Sequence, residues 1–177
     1  KIDIHSQTTE PWKVTLVDTG ELTMTGGRLK RVKSYIEDDT FCLTYGDGLA
    51  NINIGLLIDS HKKSNNLATI TAVKPPGRFG SLNLDRANNV KSFLEKPDGD
   101  GGWINGGFFV FHPDVINRIK DDQTILEQEP LRSLAKDNQL NAYKHEKFWQ
   151  PMDTLRDKIH LEELWASNQA PWKIWQK

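Results

Sequence analysis

The 177-residue chain has a single cysteine, Cys42, which excludes an internal disulfide and any zinc centre built from cysteines. Its place in the apolar run Phe41-Cys42-Leu43 suits a reducing cytoplasm or a simple buried thiol. No charge of one sign dominates either. Twenty-three Lys and Arg against 24 Asp and Glu leave a net charge of −1, so nothing in the balance favours nucleic acid or an anionic membrane surface, although phosphates can still be bound locally. Long apolar runs are also missing. The longest, Phe108 to Phe111, is far too short to span a bilayer, and the first residues lack the basic, apolar and small-residue order of a signal peptide. The five histidines are scattered without metal-ligand spacing. There is no Gly-x-Ser-x-Gly elbow, and neither the P-loop nor the dinucleotide fingerprint is complete. Together these absences exclude an internal disulfide and a cysteine-built zinc cluster and leave serine-hydrolase chemistry poorly supported.

What is present is the patterning of one α/β domain, residues 1–177, without linkers, repeats or low-complexity tracts. The chain begins on Lys1, and Ile2 and Ile4 alternate with polar residues as if a strand were under way. Val14-Thr15-Leu16-Val17 predicts a strand stopped by Asp18-Thr19-Gly20. A helix is predicted from about Gly27, with Leu29, Val32 and Ile36 on its inner face. Phe41 to Tyr45 is the next predicted strand. Ile54, Leu57, Ile58 and His61 fall at helical spacing, and Leu67 to Val73 is β-rich. Strand, helix, strand in this order predicts a parallel crossover unit, whose ligands gather at the carboxyl ends of strands. Further strands are predicted at Gly80 to Leu84, Val90 to Glu95 and Ile104 to Phe111. Helices are predicted from Pro113, from Thr124 and from about Asp153 to Trp165. Thr124-Ile125-Leu126-Glu127 fits a capping box, which assigns Glu127 to a cap.

Among residues able to do chemistry, two aspartates stand out at the ends of apolar segments, Asp47 in Thr-Tyr-Gly-Asp-Gly and Asp153 in Trp-Gln-Pro-Met-Asp-Thr. Two carboxylates brought together from distant strand ends suit magnesium, which takes few protein oxygens and leaves positions for water and phosphates. Taken singly, Asp47 is better explained as a turn former and Asp153 as the N-cap of the last helix. Glu95-Lys96-Pro97 ends another strand: Lys96 can face a phosphate as a point charge and Glu95 can accept from sugar hydroxyls. Thr25-Gly26-Gly27-Arg28 opens a predicted helix whose free N–H groups would attract an anion. Asn105-Gly106-Gly107 reads in isolation as a bulge. His61 belongs to the core, and Trp165, Trp172 and Trp175 suit packing within the domain or against a second subunit.

The stretches EPWKVTLVDTG, MTGGRLKR, TYGDG, PPGRFG, EKP, INGGFFV, EQEPL and FWQPMDTLRDK, in this order, cover nearly the whole chain. Together they resemble the sugar-1-phosphate nucleotidyltransferase family, and its cytidylyl-transferring members more than the thymidylyl or adenylyl ones. The resemblance implies a Rossmann-like fold with a mixed, largely parallel central sheet. It implies that the phosphate of glucose 1-phosphate attacks the α-phosphorus of CTP, giving CDP-glucose and pyrophosphate. An ionised phosphate is already a nucleophile, so positioning and charge neutralisation suffice and no catalytic triad is needed. Asp47 and Asp153 then match the magnesium ligands, making Mg2+ the expected cofactor, and Lys96 and Asp47 the expected catalytic pair. Lys96 matches the lysine on the sugar phosphate, Glu95 the acid on sugar hydroxyls, and Gly80, Asn105 and Gly106 the sugar-lining stretches. Thr23, Gly27, Arg28 and Gly46 lie where the family contacts the nucleotide.

The pattern departs from the family at its front. The first strand, the Gly-Gly-x-Gly-Thr-Arg loop that cradles the triphosphate and a later lysine have no counterpart, so the chain matches the later two-thirds of the family domain. The expectation for the isolated chain is therefore little or no turnover; the alternative is a non-catalytic sugar-phosphate-binding or subunit-association module. A metal-dependent glycosyltransferase is disfavoured, because Asp38-Asp39 lack the spacer of an Asp-x-Asp motif. The resemblance further implies a cytoplasmic homo-oligomer supplying nucleotide sugar for deoxysugars of cell-surface polysaccharide such as lipopolysaccharide O-antigen. Neither nucleic acid nor membrane is expected as a partner.

Overall fold

A computed structural model describes residues 12–36, 39–75, 81–95 and 102–175. The predicted strand at Ile2 to Ile4 and the site residues Gly80 and Lys96 lie outside them.

The centre is a four-stranded sheet in the order β1 (Phe41–Thr44), β6 (Ile104–Phe111), β3 (Ala68–Val73), β7 (Leu140–His145). Strands β3 and β7 pair in parallel, whereas β6 is antiparallel to both β1 and β3. Three of the four strands thus run in one direction, which agrees with a mixed sheet. The predicted crossover unit needs one correction: β1 and β3 are co-directional but not paired, because β6 lies between them. Its run of buried Phe109, Val110 and Phe111 explains that position, since a strand apolar on both faces belongs in the middle of a covered sheet.

Both faces are covered. Phe109 and Phe111 point toward Leu29 of α1 (Thr25–Arg31), a 3-10 segment at Pro113–Arg118 carrying Val115 and Ile116, and Leu131 and Leu134 of α3 (Glu129–Lys136). Val110 faces the other way, onto Ile52 and Leu57 of the segment leading into and through α2 (Ile54–Ser64). Helix α2 starts where the Asn53 side chain accepts from Leu56 N–H at 3.0 Å and stops at Asn65 in the left-handed region. Leu57 and His61, four residues apart, form its buried stripe. The His61 Nδ1 lies 2.9 Å from the Thr69 hydroxyl, and burial, aided by His112, pushes its pKa down. It is the core histidine that its spacing suggests.

Two ribbons flank the sheet. β2 (Gly48–Ala50) pairs antiparallel with β8 (Trp149–Pro151), and β4 (Ser81–Leu84) with β5 (Val90–Leu94). The chain ends in α4 (Leu155–Ala166), after which Trp172 packs on Phe148 at 5.5 Å between ring centres while Trp165 and Trp175 stay half exposed.

Several expectations are revised. Val14 to Val17 is not a strand: no ladder partner reaches it among the described residues, and its apolar side chains Val14 and Leu16 are exposed. Periodicity can mark a strand, but only a neighbour can make one. Cys42 is exposed on the outer side of edge strand β1 rather than buried. The segment after Pro113 is a 3-10 turn, not an α-helix. Helix α3 begins at Glu129, not Thr124, because the Thr124 hydroxyl is committed to Asp121 and Pro130 sits in the first turn. Glu127 is therefore not a cap. Nor is Asp153: the capping box of α4 is Thr154 with Asp157.

Candidate functional site

The carboxyl ends of β1, β3 and β7 and the amino end of the reversed β6 share one edge of the sheet, where such folds gather ligands. There Thr25, Tyr45, Gly46, Asp47, Asn105 and Glu127 line a cleft of about 660 Å3. They arrive from four pieces of chain: Thr25 from α1, Tyr45 to Asp47 from the loop after β1, Asn105 from β6 and Glu127 from the segment before α3.

Asp47 lies between β1 and β2, immediately before Gly48, and its carbonyl accepts from Met152 N–H at 2.8 Å, extending the β2–β8 ribbon by one step. That bond sets Asp47 and Asp153 at neighbouring strand ends, both exposed, although they are 106 positions apart in sequence. Two carboxylates with no histidine or cysteine between them are donors of the kind a hard cation such as magnesium accepts. Among the described residues no three His, Cys, Asp or Glu side chains converge into a metal cluster.

Asn105 is aimed by a bulge. Between Ile70 opposite Phe109 and Ala72 opposite Asn105 the β3–β6 register slips, and Gly107 takes φ +77. The Asn105 Oδ1 accepts from Gly107 N–H at 2.8 Å, and its amide nitrogen donates to the Tyr45 hydroxyl at 3.0 Å. Both glycines are sterically required. A Cβ on Gly107 would lie 2.7 Å from the Tyr45 ring, and one on Gly106 would lie 2.8 Å from Val73. The bulge that isolation suggested is real, and it orients a side chain.

Tyr45 continues the chain of bonds. Its backbone N–H donates to the Gly107 carbonyl at 3.0 Å, its ring packs edge-on against Phe109, and its hydroxyl donates to Glu127 Oε1. Glu127 Oε2 accepts from the Thr25 hydroxyl at 2.7 Å, and the Thr25 oxygen accepts from Leu126 N–H at 2.9 Å. Partial burial, then the hydrogen bond to Glu127 and its charge, push the Tyr45 phenol far above the ordinary tyrosine range; Asn105 opposes this and Asp47 adds to it. The phenol stays protonated and remains a donor.

The remaining expected residues are placed as follows. Gly46 lines the cleft with open space around it. Gly27 does not offer a free N–H: the amides of Gly26 and Gly27 both donate to the Thr124 carbonyl, at 3.0 and 3.3 Å, and a Cβ on Gly27 would meet Asp122 backbone at 2.5 Å. The glycine pair is thus explained by close packing of α1, not by an anion. Arg28 donates to the Thr19 hydroxyl at 2.6 Å and to the Glu21 carbonyl at 3.0 Å, pinning that loop. Thr23 is buried beneath it. Glu95 lies exposed at the end of β5, and Gly106 is buried at the bulge. The sequence pattern gave Tyr45 no role, placed Thr25 only in a helix opening suited to an anion, and made Glu127 a cap, since the partners of Glu127 lie 82 and 102 positions away.

Comparison with known proteins gives this geometry a context. Residues 14–159 match the model of the family described as nucleotidyl transferase. The chain is 56% identical over 177 residues to the glucose-1-phosphate cytidylyltransferase of Salmonella typhimurium, covering 99% of this chain and 68% of that protein. A crystal structure of UDP-glucose pyrophosphorylase with UDP-glucose superposes at a TM-score of 0.62 and 13% identity, over 86% of this chain and 65% of that one. A second, HddC from Yersinia pseudotuberculosis, superposes at 0.59 and 24% identity, over 82% and 64%. These two likenesses speak for the fold. The chain spans about two-thirds of the length of these relatives.

Proposed function

Since this chain belongs to the nucleotidyl transferase family, we propose that its cleft serves cytidylyl transfer from CTP to glucose 1-phosphate, giving CDP-glucose and pyrophosphate. The observation that supports this most directly is the meeting of Asp47, Gly46 and Asn105 in one cleft at the carboxyl edge of the sheet. The wall they form has oriented hydrogen-bonding groups, as a sugar needs, and carries no nucleophile–base pair. None is required, because the sugar phosphate itself attacks. The protein's task is then to hold the two phosphates in line and keep their charges compatible.

In this reading Asp47 and Asp153 hold Mg2+, which when bound supplies positive charge against the triphosphate. Gly46, having no side chain, lets a phosphate approach the backbone. Asn105 faces the sugar from the bulge, with Glu95 and Lys96 serving its hydroxyls and its phosphate. Thr23 and Arg28 act on the nucleotide side through the loop they hold. The polar, phosphorylated substrates suit a cytoplasmic enzyme feeding polysaccharide synthesis, and no helix among the described residues is long and apolar enough to cross a membrane. Self-association is assigned to the aromatic end of the chain, where Ile174 and Trp175 are exposed. Removing residues 171–177 should then lower the mass seen by light scattering.

The test is pyrophosphate release from CTP, glucose 1-phosphate and Mg2+, joined to a calorimetric titration with Mg2+. Asp47→Asn and Asp153→Asn are each expected to weaken metal binding to a similar extent and to cut turnover by roughly 100-fold, the loss of one strong electrostatic contact to the transition state. Metal binding and turnover indifferent to both changes would return the aspartates to turn residues.

A further inference from the structure

The directions of the hydrogen bonds around Glu127 are all determined. Asn105 Oδ1 is occupied by Gly107 N–H, so its amide nitrogen must be the group that faces the Tyr45 oxygen. That oxygen therefore accepts from Asn105 and spends its proton on Glu127. On the other side the Thr25 oxygen accepts from Leu126 N–H and spends its proton on Glu127 as well. Two hydroxyl protons thus converge on one carboxylate, and no reorientation of a rotor can relieve it. Each carboxylate oxygen has a further acceptor site, and Asn105 has a second amide hydrogen, none with a partner among the described residues. Both groups line the cleft beside Asp47. A wall that shows a fixed anionic acceptor next to a fixed donor complements a group that donates and accepts at once. On a sugar phosphate the group that does both is a ring hydroxyl.

We propose that Glu127 and Asn105 together bind one ring hydroxyl of the sugar phosphate, the hydroxyl donating to the Glu127 carboxylate and accepting from the Asn105 amide. Tyr45 and Thr25 are the positioning residues that hold the pair. The inference rests on the cleft being the sugar-phosphate site and adds to it a second recognition acid, distant in sequence from Glu95. Its protein partners, the Thr25 and Tyr45 hydroxyls, are neutral, so the carboxylate keeps its charge and a hydrogen bond from a sugar hydroxyl to it is charge-assisted.

The experiment is calorimetric binding of glucose 1-phosphate and of a panel of analogues each lacking one ring hydroxyl, with inorganic phosphate as reference. For the protein with Glu127, one analogue is expected to bind roughly 10- to 100-fold more weakly than glucose 1-phosphate, the range for a hydrogen bond to a charged group. In Glu127→Gln that analogue and glucose 1-phosphate should bind alike, while discrimination at the other positions persists. A purely structural role for Glu127 would leave the discrimination intact, and that result overturns the inference while the cleft keeps its sugar phosphate. If glucose 1-phosphate binds no better than inorganic phosphate, the cleft reading and the inference fall together. Should Glu127→Gln not fold, Tyr45→Phe, which removes the hydroxyl between the two groups, is expected to blunt discrimination at the same position. Full discrimination in Tyr45→Phe likewise overturns the proposal.

Discussion

Replacing Gly107 by Ala strikes the bulge at the point where backbone conformation and packing coincide. Gly107 takes φ +77, and a left-handed backbone costs an L-residue roughly 1–2 kcal/mol relative to glycine. Its new Cβ would also lie 2.7 Å from Cδ2 of Tyr45, a distance that ordinary contacts do not reach. Tyr45 cannot simply swing aside, because its hydroxyl is held by Glu127 and Asn105 and its backbone N–H by the Gly107 carbonyl. Overpacking of this kind costs about 1–3 kcal/mol. The combined loss is about 2–5 kcal/mol, a large share of the 5–15 kcal/mol that holds a typical domain together. Urea unfolding followed by tryptophan fluorescence should show it as a midpoint lowered by about 1–2 M, given a slope of about 2–2.5 kcal/mol per M. Gly46→Ala is the control from the same cleft. Gly46 has ordinary φ and nothing within 4 Å of its would-be Cβ, so its change should stay within about 0.5 kcal/mol. A Gly107→Ala protein that unfolds at the original midpoint would refute the claim that the bulge is braced against Tyr45.

Thr154→Ala removes the hydroxyl that accepts from Asp157 N–H and dismantles the capping box of α4; a thermal melt by circular dichroism should report a loss of about 1 kcal/mol. Stability should also depend on His61. Its folded-state pKa is depressed by burial below the ordinary 6.5, so the unfolded chain binds the extra proton first. The contribution of the neutral ring is present above about pH 6.5 and is lost as pH falls below it. Denaturation midpoints measured on either side of that value should diverge in the original protein and converge when His61 is replaced by Gln. Leu134→Ala, in the core under α3, is expected to cost about 2–5 kcal/mol by equilibrium unfolding, since the side chain is fully buried and the sheet beneath it cannot collapse into the gap.

What the amino-acid order determined by itself is what depends on neighbours in sequence. The bounds of β6 follow from eight residues of β-rich apolar chain between Trp103 and His112. Helix α2 follows from a stripe at Leu57 and His61 between two asparagines suited to its ends. Asp47 was recognisable because Gly46 and Gly48 flank it, and Asn105 because Gly106 and Gly107 follow it. Strand order was not local: β6 enters between β1 and β3 because its two apolar faces need covering on both sides, a demand met only when both helical layers are in place. Val14 to Val17 carried a strand pattern without a partner among the described residues, and Thr124 to Glu127 carried a cap pattern whose hydroxyl found Asp121 instead. The acid of Glu127 became part of the cleft through Tyr45 and Thr25, contacts across 82 and 102 positions that exist only after α1, β1 and the segment before α3 have packed. Residue type and spacing set which groups are available; the tertiary structure decided which of them share a hydrogen bond, because that depends on distances fixed by the core and not by the order of the chain.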